Sequence, residues 1–284
     1  MPNLYSINAQ IEKKDLDLSP EEISSIYYHD IFDYPLNLSD LIRWKGGEKN
    51  IQSNIGKSVS FSKGFYFVEG KEGSVYKRLL RNRVSEKKIQ IAKKVSKILS
   101  LIPLIKMVGI TGSLAMKNAD ENGDIDLLVV TKKGSLWTTR AIVLTLFKLL
   151  NVPTRRFGDK NQKDKICLNM WMDESDLIWK SYDRNSYTAH EIAQIIPIVN
   201  KNKTFEHFLD KNRWILNFWP KAVRIKNSRV LKEQRSFLHF LESFLFQLQY
   251  SYMKKKISRE VVKKTRAFFH PQNWSKFVVG RLTP

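Results

Sequence analysis

A single cysteine in 284 residues excludes an internal disulfide, so Cys167 is a free thiol and fits a reducing compartment. Lying in an apolar run, it reads as a buried, inert group. Long hydrophobic runs are also missing. The longest, Ala141 to Leu150, is interrupted by Lys148 and is too short to span a bilayer. The N-terminus lacks a cationic segment followed by an apolar one, so nothing points to export, and a cytoplasmic protein without a membrane partner is expected. No second histidine follows His190-Glu191 at the metalloprotease spacing, which leaves that pair a capping or surface role. Acids are scarce: 28 Asp and Glu stand against 49 Lys and Arg, a formal net charge of +21 at pH 7.

The basic excess is uneven. It gathers between Lys63 and Lys106 and after Lys201, while the stretch between is nearly balanced. Such a surface attracts polyanions through contacts that salt weakens, so RNA is a candidate partner. A source-wide lysine bias accounts for the charge equally well. Hydrophobic residues make up 42% of the chain, ample for buried cores, and the length allows two or three domains.

Residues 1–18 look poorly anchored and flexible. Ser19-Pro20-Glu21-Glu22 is a helix start, with a capping serine and proline at the first helical position. Pro35 ends that helix, Asn37-Leu38-Ser39-Asp40 opens a second, and residues 51–59 offer a third. Phe61 to Val68 then reads as a hairpin turning near Gly64. Three short helices closing on a hairpin resemble a winged-helix domain over residues 19–80. Its third helix has little basic charge beyond Lys57, so packing on a partner weighs as much as DNA binding.

Ser85 to Leu101 follows as a helix with an apolar stripe (Ile89, Ala92, Val95, Leu99) and a solvated lysine face. The central feature comes next. Gly112-Ser113 and, ten residues later, Asp124-Ile125-Asp126 lie between the apolar runs Ile105 to Ile110 and Leu127 to Val130. Residues two apart in a strand share a face, so Asp124 and Asp126 project together, about 7 Å apart along one edge. Two carboxylates so placed can converge on Mg²⁺, which favours oxygen ligands shared with phosphates. The Gly-Ser turn opens a helix whose free N–H groups suit phosphate.

These residues, Gly112, Ser113, Ala115, Asp124, Ile125 and Asp126, resemble the motif of the nucleotidyltransferase superfamily typified by DNA polymerase beta, in particular its minimal and antibiotic-modifying members. The resemblance covers residues 83–200. It implies an α+β fold in which a mixed sheet is flanked by helices, with the winged-helix-like domain before it and a C-terminal helical region over 201–284. It also implies that Asp124 and Asp126 hold Mg²⁺ or Mn²⁺, that Gly112 and Ser113 cradle a nucleoside triphosphate, and that a nucleoside monophosphate passes to a hydroxyl acceptor. Lys117 is placed to reach a phosphate. Of Arg155 and Arg156, which alternate, one faces the site, and Arg155 is the choice. Trp137 and Arg140 lie within reach of the nucleotide, with core packing the commoner fate of a tryptophan.

One position departs from the family pattern. Its third carboxylate should stand on the strand Ile166 to Met172, where this chain has Asn169. An amide oxygen can ligate a metal but has no charge and takes no proton. The chain is then an enzyme that activates its acceptor differently, a slower one-metal enzyme, or a nucleotide- or nucleic-acid-binding regulator without turnover. Asp173 and Glu174 are the nearest acids that could substitute.

Overall fold

The computed structural model describes residues 17–47, 58–156, 158–226, 239–257, 260–269 and 274–282. All but the last two residues of the expected third helix, and nearly all of the expected flexible N-terminus, lie outside them, and Val59 belongs to a strand.

Helix α1 (Pro20–Asp30) starts as its sequence dictates. Ser19 Oγ accepts from the Glu22 N–H and the Glu22 carboxylate accepts from the Ser19 N–H, a reciprocal cap that satisfies two donors the helix cannot pair itself. Asn37 caps α2 (Leu38–Arg43) by accepting from the Asp40 N–H at 2.8 Å. Strands β1 (Leu36–Asn37), β2 (Val59–Ser62) and β3 (Phe65–Val68) pair antiparallel in the order β1-β3-β2. The β2–β3 turn uses Lys63 and Gly64, both at positive φ. Ile26, Tyr34, Leu36, Leu41 and Val68 form the small core of this unit.

Helix α3 (Gly73–Ser100) runs through the boundary expected near residue 80 and into the central part of the chain. There, β4 (Ile105–Ile110), β5 (Ile125–Thr131), β6 (Ile166–Asp173) and β7 (Ile196–Asn200) join β8 (Val261–Lys263) and β9 (Arg266–Phe268) in one mixed sheet of order β7-β4-β5-β6-β9-β8. Among the described strands only β5 and β6 run parallel, linked through α5 (Leu136–Leu149). Period-two alternation sorts the central strands. Val108, Ile110, Leu127, Val129 and Trp171 pack with α3 and α5 on one face. Met107, Leu128, Val130 and Met172 pack on the other with Tyr28, Trp44 and helices α6 (Ser186–Ala193) and α7 (Thr204–Lys211).

The region after residue 201 is not helical throughout. Helices α8 (His239–Met253) and α9 (Trp274–Leu282) are present, but the β8–β9 hairpin extends the central sheet, with β9 antiparallel to β6. Runs of three residues are too short to show a strand period. The alternation of Arg155 and Arg156 implies a strand around them, but among the described residues of 151–158 there is only an isolated bridge from Thr154 to Ile166. Pro153 has no N–H to give a ladder, although its carbonyl accepts from Ile166.

Candidate active site

The site gathers where β4 ends and β5 and β6 begin, beside α6. Gly112 takes φ +61, and a β-carbon there would stand 2.8 Å from Asp126 Oδ2, so glycine is needed for both backbone shape and space. It opens α4 (Gly112–Ala115), a single turn in which Ser113 is exposed. Asp126 lies on β5 and Asp124 just before it. One oxygen from each, together with Cys167 Sγ, forms a set in which all three atoms lie within 4.8 Å of one another. Cys167 is the register partner of Asp126 across the parallel β5–β6 pair.

Asn169, two residues on from Cys167 and so on the same face of β6, donates from Nδ2 to Asp126 Oδ1 at 2.6 Å. It stands beside the acid pair, as expected for the third-carboxylate position. Asp173 and Glu174 do not take its place in that cluster. Asp173 is buried, with Oδ1 accepting from Ser175 and Oδ2 from the Gly134 N–H, and Glu174 gives its N–H to the Thr131 carbonyl. Arg155 reaches the acids, its Nη1 lying 2.7 Å from Asp124 Oδ2. Lys117 ends the α4 turn at φ +53 and lines a cavity with Asp40, Arg43 and Arg78. Trp137 belongs to the core and Arg140 is half-buried beside it. The indole N–H of Trp137 bonds the carbonyls of Lys263 and Lys264, and Arg140 bonds Gln249.

The electrostatics follow from enclosure. Burial pushes the Asp126 carboxyl up to about 7 and the charge of Asp124 adds to the effect, against the pull of Cys167, Arg155 and Asn169. Burial and the same two acids hold the Cys167 thiol far above its usual range, so it is protonated. An Asp126 carboxyl held up by burial and by the neighbouring Asp124 suits a site completed by a cation.

Two further groups, Glu191 and Lys88, escape sequence reasoning, and Cys167, read there as an inert thiol, stands with the acids. Glu191, read as a surface or capping residue, is pushed up to about 8 by burial and then by Asp126. It accepts from Gln194 Nε2 at 2.6 Å, and the same nitrogen donates to the Gly112 carbonyl at 3.3 Å. Lys88, assigned to a solvated lysine face, is 1% exposed and donates to the carbonyls of Glu121 and Gly123 and to Asp164. It fixes the loop that delivers Asp124. Cys167 was legible, since it shares a strand face with Asn169. Glu191 and Lys88 gave no local signal, because which face of a helix is covered is decided by its tertiary neighbours.

Residues 89–176 match the family model described as a nucleotidyltransferase domain. The chain carries such a domain. Around it, the nucleotidyltransferase-type mixed sheet extends to β7 on one side and to the β9–β8 hairpin on the other. No curated protein matches the chain. A solved structure described as "Crystal structure of the toxin-antitoxin with AMP-PNP" is 11% identical over 58% of this chain and 94% of that one, with a TM-score of 0.26, too slight a likeness to argue from. Among the described residues no helix is long and apolar enough to cross a membrane.

Proposed function

We propose that the nucleotidyltransferase domain is a working, metal-dependent enzyme that moves a nucleoside monophosphate from a nucleoside triphosphate to a hydroxyl acceptor. The observation that carries this reading is the convergence of Asp124 and Asp126 beside the Gly112 turn, with donor atoms within 4.8 Å. The donor set fits a divalent cation. Two carboxylates supply oxygen ligands, and their mutual repulsion in a buried setting is relieved by positive charge. Mg²⁺ or Mn²⁺ held there would neutralise charge on the triphosphate and polarise it toward attack.

The residues divide the remaining work. Backbone N–H groups at Gly112 and Ser113 and the Ser113 hydroxyl bind the triphosphate. Arg155, paired with Asp124 and 35% exposed at its side chain, is free enough to turn toward a phosphate, and Lys117 offers a second cation. Asn169 orients Asp126 through its amide. The acceptor oxygen forms a bond to the α-phosphorus as the bond to pyrophosphate breaks, and the acceptor proton leaves to a group other than Asn169, which cannot take it. RNA is the acceptor class that the +21 charge favours. The N-terminal unit is assigned a winged-helix-like role in holding that acceptor or a protein partner, and the protein is placed in the cytoplasm.

The test supplies each α-labelled triphosphate with Mg²⁺ or Mn²⁺ and total cellular RNA, with Asp124→Asn as control. Transfer of label that the substitution abolishes supports the enzyme. Tight binding of nucleotide with no transfer to RNA, to the protein or to small hydroxyl compounds overturns it in favour of a non-catalytic nucleotide-binding regulator.

A further inference from the structure

Cys167 has no part in the transfer reaction above, yet its Sγ belongs to the donor set with Asp124 and Asp126. Arg155 Nη1, 2.7 Å from Asp124 Oδ2 and 3.8 Å from Sγ, already brings positive charge against this set. Beside it Asn169, 6% exposed, leaves Oδ1 without a hydrogen-bond partner among the described residues, while the other end of the same amide contacts Asp126. A buried amide oxygen with no donor opposite it is costly unless something positive satisfies it.

Ligand softness then decides which cation the site prefers. Carboxylates alone suit Mg²⁺ or Mn²⁺, whereas a sulfur ligand selects thiophilic ions. We propose that Cys167 is a third metal ligand, so that this site takes a thiophilic divalent cation of the zinc class, which competes with the hard cation of the transfer reaction for Asp124 and Asp126. The inference rests on the reading above only in using the same two acids. On binding, the S–H bond breaks, its electron pair passes to the cation, and the proton is released to solvent.

Cadmium is the probe, added to the full chain under reducing conditions in a buffer that does not chelate it. Cys167 is the only cysteine in the sequence, so any ultraviolet absorption from a thiolate-to-cadmium charge transfer reports on it without a variant. The expected result is a band that saturates at one cadmium per chain, with release of a proton, and that Asp124→Asn shifts to roughly tenfold or more higher cadmium concentration. No band at saturating cadmium overturns the proposal. So does a band whose midpoint Asp124→Asn leaves unchanged, since the thiol would then be acting alone. Mn²⁺ binding followed by electron paramagnetic resonance separates the two readings. Bound Mn²⁺ without a cadmium band removes this inference and leaves the transferase, while a cadmium band in a protein that transfers no nucleotide does the reverse.

Discussion

The ammonium group of Lys88 lies 2.7 Å from the carbonyl oxygen of Gly123, the residue immediately before Asp124. Its other acceptors are the Glu121 carbonyl and Asp164 Oδ1, so one side chain from α3 closes the loop that carries the first acid. Lys88→Met should lower the unfolding free energy by about 3 kcal/mol, the low end for breaking a buried ion pair, because Asp164 is 41% exposed and can rehydrate. Denaturant unfolding checks the magnitude. A variant within 0.5 kcal/mol of the parent would mean the loop holds itself.

Gly112→Ala tests the cradle. The left-handed backbone costs an alanine about 1–2 kcal/mol, and the new methyl would meet Asp126 Oδ2 at 2.8 Å. Both stability and Mn²⁺ affinity should fall. Loss of stability with unchanged Mn²⁺ affinity, read by calorimetry, would show that Asp126 can move aside.

Asn169→Asp restores the carboxylate that the motif lacks. A third acid beside Asp126 should destabilise the metal-free protein by about 1.4 kcal/mol or more, equivalent to one further unit of pKa, and should tighten Mn²⁺ binding. Thermal melts with and without Mn²⁺ would diverge more for the variant than for the parent. Equal divergence would place residue 169 outside the metal's reach.

Acidity and alkalinity act on separate clusters. Asp126 and Glu191 are raised to about 7 and about 8. An acid raised in the folded state keeps its proton after the unfolded chain has lost it, so metal-free stability should fall as pH climbs from about 4 toward 8. Added Mn²⁺ should oppose that decline. On the acid side, burial holds His29 down to about 3 and His190 well below its usual range, the two imidazoles facing each other at 3.1 Å. A base lowered in the folded state remains neutral while the unfolded chain takes a proton. Stability is therefore lost as pH drops below about 6.5. Tryptophan fluorescence should follow that loss, since Trp44 stacks on His190 with ring centroids 3.9 Å apart. Between about pH 4 and 6.5 the two effects oppose each other, so the acid effect is contradicted by a metal-free melting temperature that does not fall from about pH 6.5 to 8, and the histidine effect by tryptophan fluorescence that does not change below about pH 6.5.

The strands flanking the acids were readable because they are short apolar runs, Ile105 to Ile110 and Leu127 to Val130, bounded by Gly-Ser and Gly-Asp. Asn169 could be placed from its position in the next apolar run, whereas the alternation of Arg155 with Arg156 could not say which of the two meets the acids. Lys88 and Glu191 were not, since a charged residue on a helix looks the same in sequence whether it meets solvent or a loop. The β8–β9 hairpin was equally hidden. Two strands of three residues acquire their identity from the partner they pair with, here Met170 to Met172 on β6.

That pairing has a temporal side. The N–H of Phe269, just past β9, is given to the carbonyl of Asn169, and Arg266 to Phe268 cover the outer rim of β6. A ribosome must therefore deliver some hundred residues beyond Asn169 before the strand bearing it can acquire its outer neighbour. Until then the half-made protein shows a raw β-edge next to its reactive acids, a window in which a chaperone or a stray strand could bind.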